Sequence, residues 1–143
     1  MATIKGGTND GLREALQGVE RRLRNASAVR VGFLEGATYP DGKPVAMIAA
    51  IHNYGKWPFF TNMIAKKKHE WGPAIRQLLI DNDSDALRTL QQTGEAISGQ
   101  LRQEIVDTVT PSNAPATIMK KGFDKPLVES GHMLQSVDYQ VKA

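Results

Sequence analysis

One apolar stripe in the third quarter of the chain sets the terms for everything around it. From Asp85 to Val109 the residues Leu87, Leu90, Gly94, Ile97, Leu101 and Ile105 recur every three or four positions, the spacing of one face of an α-helix. About 25 residues at 1.5 Å each make a helix roughly 37 Å long. A stripe of that length is buried only if several other elements line up along it, so it predicts the spine of a single core. Gly94 falls on the stripe, where it forfeits about 1 kcal/mol of helix propensity relative to alanine. That predicts a close approach at Gly94, best explained by a strand crossing the helix.

The elements expected to meet this spine are short. Leu12, Leu16, Val19 and Leu23, with Arg13, Glu14, Glu20, Arg21 and Arg22 between them, predict an amphipathic helix from Asp10 with one buried stripe. Residues 29–36, VRVGFLEG, alternate Val29, Val31 and Phe33 against Arg30, Gly32 and Leu34, and so predict a half-buried strand. Pro44 suits a helix start and Gly55 its end, which predicts a short, mostly apolar helix with Val45, Ile48, Ile51 and His52 on one side. A further helix runs through Met63 and Ile64 to Leu79, with a kink expected at Gly72 and Pro73 and capping of the next helix by the segment Asp81 to Ser84. Ser130 is placed to cap a helical turn, and Ser136 to Val141 alternate as a final strand with Val137, Tyr139 and Val141 on one face.

Two segments read as loops. Residues 36–44 contain Pro40, Asp41 and Gly42, a turn signal in which glycine supplies a positive φ, and predict an exposed, mobile loop. Residues 110–126 carry three prolines and predict a long loop ordered only by a partner. With 143 residues and 41% hydrophobic content, the chain suits one domain, an N-terminal helix over 1–27 and a core over 28–143. The expected class is α+β: a small antiparallel sheet packed against one long helix, with shorter helices beside it.

The usual signatures of chemistry are missing. There are no cysteines, which removes disulfides, thiolate metal sites and cysteine nucleophiles. His52, His69 and His132 lack a second histidine one helical turn away, and His69-Glu70 is followed by Trp71, Gly72 and Pro73, which break a zinc-protease motif. Asp81, Asp83 and Asp85 alternate like the start of a calcium loop, yet Ala86 and Gln92 stand where glycine and glutamate are needed. Ser130 to His132 lack a nucleophile elbow, and no phosphate-binding glycine loop follows the first strand. The expectation is a protein that is not an enzyme and takes no cofactor or metal. No secretion signal or membrane span is read in the sequence, which suggests a cytoplasmic protein.

The net charge of +3 names no partner. Lys66, Lys67 and Lys68, with Lys120, Lys121 and Lys125, leave a nucleic-acid-binding module as the alternative function, although such a run is more often a solvated helix face. Trp57, Phe59 and Phe60 form the densest aromatic cluster and fill a core or anchor an interface. Together with Tyr39 and Phe123 from the two loops, these lysines, Lys125 apart, and aromatics are the candidate interface residues.

Three segments taken together resemble phage tail-completion proteins, also described as neck, minor tail or virion morphogenesis proteins. They are VRVGFLEG at 29–36, VAMIAAIHNYG at 45–55 running into WPFF, and KPLVESGHMLQSVDYQV at 125–141. In the last, Leu127, Ser130, Gly131, Met133 and Ser136 approximate that family's Leu-x-x-Thr-Gly-x-Leu-x-x-Ser segment. Only Lys56 and Trp57 stand between Gly55 and Pro58, where the family usually has Ile-Pro-Ala-Arg, and Ser130 replaces the usual threonine. The resemblance implies a long helix on an antiparallel sheet and a ring at the head-tail junction of a phage or prophage particle. It implies copies of the chain and neighbouring connector or tail proteins as partners, and host cytoplasm followed by the virion as location. Nucleic acid and membrane are not expected partners.

Overall fold

A computed structural model of the chain describes residues 9–109 and 131–143. Its elements are α1 (Asn9–Leu23), β1 (Ala28–Phe33), α2 (Val45–Tyr54), α3 (Phe59–Asp81), α4 (Ala86–Val109) and β2 (Val137–Lys142), with residues 131–136 also helical. The protein is α+β, as the pattern predicted. The expected loop at 110–126 and the capping role of Ser130 lie outside the described residues.

α3 and α4 form an antiparallel hairpin, tied along its length by Lys66 to Glu104 (2.8 Å), Trp71 Nε1 to Gln100 (2.8 Å) and Asn82 to Gln92 (2.7 Å). The turn between them uses left-handed backbone at Asp83 (φ 53°) and Ser84 (φ 64°). The cap of α4 is Asp85, one residue beyond the segment the sequence suggested. Its carboxylate accepts the backbone N–H of Arg88 at 3.1 Å, satisfying one of the orphan donors of the first turn. α3 continues as one helix through Pro73, where a kink was expected.

β1 and β2 pair antiparallel, from Ala28 opposite Lys142 to Phe33 opposite Val137. α4 crosses this two-stranded sheet at Gly94, and the prediction of a close approach there holds. A Cβ on Gly94 would lie 2.5 Å from Tyr139 Cδ2 and 2.8 Å from Val29 Cγ2. The crossing also decides which face of α4 is buried. Ala86, Thr89, Thr93, Ser98, Leu101 and Ile105 are buried, while Leu87 of the predicted stripe is exposed. The absent side chain at Gly94 lets the helix backbone come near the strands.

The core holds Val45, Ala49, Phe59, Met63, Leu101, Ile105, Met133 and Val137 together with Tyr39. Full burial of the larger aliphatic members contributes about 1.5–3 kcal/mol each. Phe33 meets Phe59 edge to face at 6.2 Å between ring centres.

The apolar stripe of α1 departs from expectation. Leu12, Leu16 and Leu23 are exposed, Leu16 at 59%. The side-chain hydrogen bonds from this part of the chain to the start of α4 and the turn before it gather at or just beyond the end of α1. Arg22 Nε donates to the carbonyl of Asp83 at 2.9 Å, and Asn25 bridges Asp85 and the backbone N–H of Leu87. α1 is thus held by its C-terminal end rather than laid along the core.

Candidate interaction surface

α2 is bounded as predicted, by Pro44 before it and Gly55 after it. Nearly every position in it is apolar, so sequence spacing alone does not choose a buried side. Val45 and Ala49 turn into the core, whereas Met47 (48%), Ile51 (59%) and Tyr54 (88%) face solvent at successive helical turns. Of the four residues that spacing groups on one side, Val45 is buried and Ile48 and His52 are half-buried, while Ile51 lies on the exposed stripe.

Beside the same helix lies an apolar cavity of about 240 Å³, between α2, the end of β1 and the start of α3. Ala46, Ala50 and Tyr54 form one wall, and Phe33, Phe59 and Phe60 the other. Its position is set by a polar clamp. Asn53 Oδ1 accepts the backbone N–H of Thr61 at 3.0 Å, and Asn53 Nδ2 donates to Thr61 Oγ1 at 3.0 Å. Asn53 thereby satisfies an orphan donor of the first turn of α3, whose own capping position is Pro58 and makes no side-chain cap.

The predicted interface residues separate into different roles. Phe59 is buried in the core. Phe60 is half-buried on the cavity wall, and Trp57 is half-buried beside His52 (5.1 Å between rings) with Lys56 Nζ 5.8 Å from its ring centre. Tyr39 was expected in an exposed loop, but it is buried and meets His132 edge to face at 5.6 Å. Its segment is fixed by backbone bonds, Tyr39 N–H to Lys43 O at 2.9 Å and Gly42 N–H to Tyr39 O at 2.8 Å. Gly42 has the positive φ, 87°, that the turn signal required. The segment is therefore exposed around a buried tyrosine and held in place, where an exposed, mobile loop was expected.

The basic run is partly neutralised. Lys66 Nζ meets both carboxylate oxygens of the buried Glu104 at 2.8 and 3.1 Å, and the hydrogen bond and charge of Glu104 raise the Lys66 pKa above 10.5. Lys67 lies 3.6 Å from Glu70. Lys68 is exposed. Lys120, Lys121, Phe123 and Lys125 lie outside the described residues.

Among the described residues no three or more histidine, aspartate or glutamate side chains group as a metal site. No helix among them is long and apolar enough to cross a membrane. Met47 and Tyr54 were missed as surface candidates. The available signal was a helix apolar on almost every side, too short to hide all of it. Comparison with protein-family models, curated proteins and solved structures returned no match to this chain.

Proposed function

We propose that the chain is a non-enzymatic structural component of a phage or prophage particle, acting at the head-tail junction through contacts with copies of itself and with neighbouring connector or tail proteins. The observation that carries this reading is the exposed stripe Met47, Ile51 and Tyr54 beside an apolar cavity. Apolar side chains concentrated on one face in this way suit protein contact better than catalysis. The resemblance of the segments at 29–36, 45–60 and 125–141 to tail-completion proteins supplies the particle. Head-to-tail contact of the α2 face with a different surface of the next copy would close a ring. The nucleic-acid alternative loses support where Lys66 and Lys67 are engaged by carboxylates.

The test is genetic and structural. Particles from a strain lacking the chain should appear by electron microscopy as separate heads and tails, and wild-type protein supplied in trans should restore joined particles. Tyr54→Asp with Ile51→Asp should keep the wild-type circular dichroism and fail to restore them. Normal particles without the chain, or full rescue by the double variant, would refute the reading.

A further inference from the structure

The two edges of the small sheet are finished differently. The N–H of Leu34 donates to Ser136 O at 2.7 Å in register with the β1–β2 pairing, which sets the phase of the ladder. Ala28, Arg30 and Gly32 therefore direct their backbone groups to β2, and Val29, Val31 and Phe33 direct theirs outward. On the outer edge of β2 two of the corresponding groups are engaged. The carbonyl of Val137 accepts from Arg102 Nη2 at 2.9 Å, and the N–H of Tyr139 donates to Asp138 Oδ1 at 2.8 Å. On β1 the outward groups of Val29, Val31 and Phe33 have no partner among the described residues. A strand edge left in this state is a template for another strand.

We propose that the outer edge of β1 pairs antiparallel with β1 of a second copy, producing a four-stranded sheet across a two-fold axis. Three features select a copy of the same strand and one register. With Val31 opposite Val31, Val29 stands opposite Phe33 and every outward residue meets an outward residue, so each pair can exchange two backbone hydrogen bonds. The second copy's Val29 then stands opposite Phe33, which lines the apolar cavity beside α2.

On the opposite face Arg30 stands across from the second copy's Gly32. A Cβ on Gly32 would meet nothing within 4 Å, and its φ lies outside the left-handed range, so neither packing nor backbone requires glycine there. The absent side chain leaves a path over Gly32 to Asp138, its partner on β2. The second copy's Arg30 lies two strand spacings, about 10 Å, from Asp138. An arginine leaning across glycine reaches a carboxylate over that span, and the two-fold axis makes the contact twice. A slip of the pair in one direction sets Arg30 directly opposite Arg30, which is unfavourable. A slip in the other exchanges the arginine-glycine pairing for glycine opposite glycine.

This pairing rests on the sheet alone and is independent of the particle assignment. A two-fold contact closes on itself, so it would join two copies or two rings and would not build a ring. Sedimentation velocity of the full chain over a concentration series tests it. The wild type should show a concentration-dependent dimer, and Gly32→Lys, which fills the path, should weaken it by at least about tenfold in Kd. Arg30→Asp and Asp138→Arg should each weaken the dimer, and the two together should recover it. A monomer at every concentration, a dimer indifferent to Gly32→Lys, or a double charge swap that stays monomeric would overturn the proposal.

Discussion

Replacing Gly94 with alanine isolates the joint between α4 and the sheet. The new Cβ would lie 2.5 and 2.6 Å from Tyr139 Cδ2 and Cγ and 2.8 Å from Val29 Cγ2, well inside contact distance. Tyr139 Cγ is one bond from its own Cβ, so the ring cannot swing clear without moving β2 itself. Overpacking costs about 1–3 kcal/mol, and a clash this close against an anchored ring falls in the upper part of that range, about 2–3 kcal/mol, against which alanine regains roughly 1 kcal/mol of helix propensity. The net expectation is a loss of about 1–2 kcal/mol. For a 143-residue chain this is a fall in Tm of roughly 3–10 °C, readable by thermal circular dichroism. In a double-mutant cycle, Tyr139→Ala should remove part of the Gly94→Ala penalty, with a coupling of about 0.5–3 kcal/mol. A Gly94→Ala protein as stable as wild type, or more stable, would show that helix and sheet do not meet as described.

The carboxyl of Asp85 is held below its ordinary 3.8, first by the Asn25 amide and then by the Arg88 backbone N–H. Its stabilising contribution is present above 3.8 and is lost as pH falls through the lowered value. Asp85→Asn should therefore lower Tm near neutrality and flatten the acid side of a plot of Tm against pH, the two proteins converging as pH falls through the lowered value. Lys66 has its pKa raised by Glu104, so its contribution is complete below 10.5 and is lost as pH climbs through the raised value. Lys66→Met strands the buried Glu104 carboxylate, and its Tm should fall further than that of Glu104→Gln. Ser98 Oγ is buried without a hydrogen-bond partner among the described residues, so Ser98→Ala should leave stability to urea unchanged or raise it by up to about 1 kcal/mol.

What the sequence by itself determined was local. Pro44 and Gly55 bound α2, Gly42 needed a positive φ, and Gly94 on a helical stripe announced a close neighbour. Each follows from the dihedral range or periodicity of a few adjacent residues, which the chain carries wherever it folds. The burial of each helix face was decided only by tertiary structure. The leucines of α1 read as a core stripe yet stay in solvent, Ile51 is exposed although Val45 on the same side of α2 is buried, and α4 buries Thr89, Thr93 and Ser98 while Leu87 of its stripe is exposed. Periodicity shows that a helix has an apolar side, but burial requires an opposing surface from elsewhere in the chain. The pairing of Lys66 with Glu104, 38 residues apart, and the contrast between an open β1 edge and a partly engaged β2 edge arise in the same way. They depend on which distant residues the fold brings within a few ångströms, and no local preference encodes that.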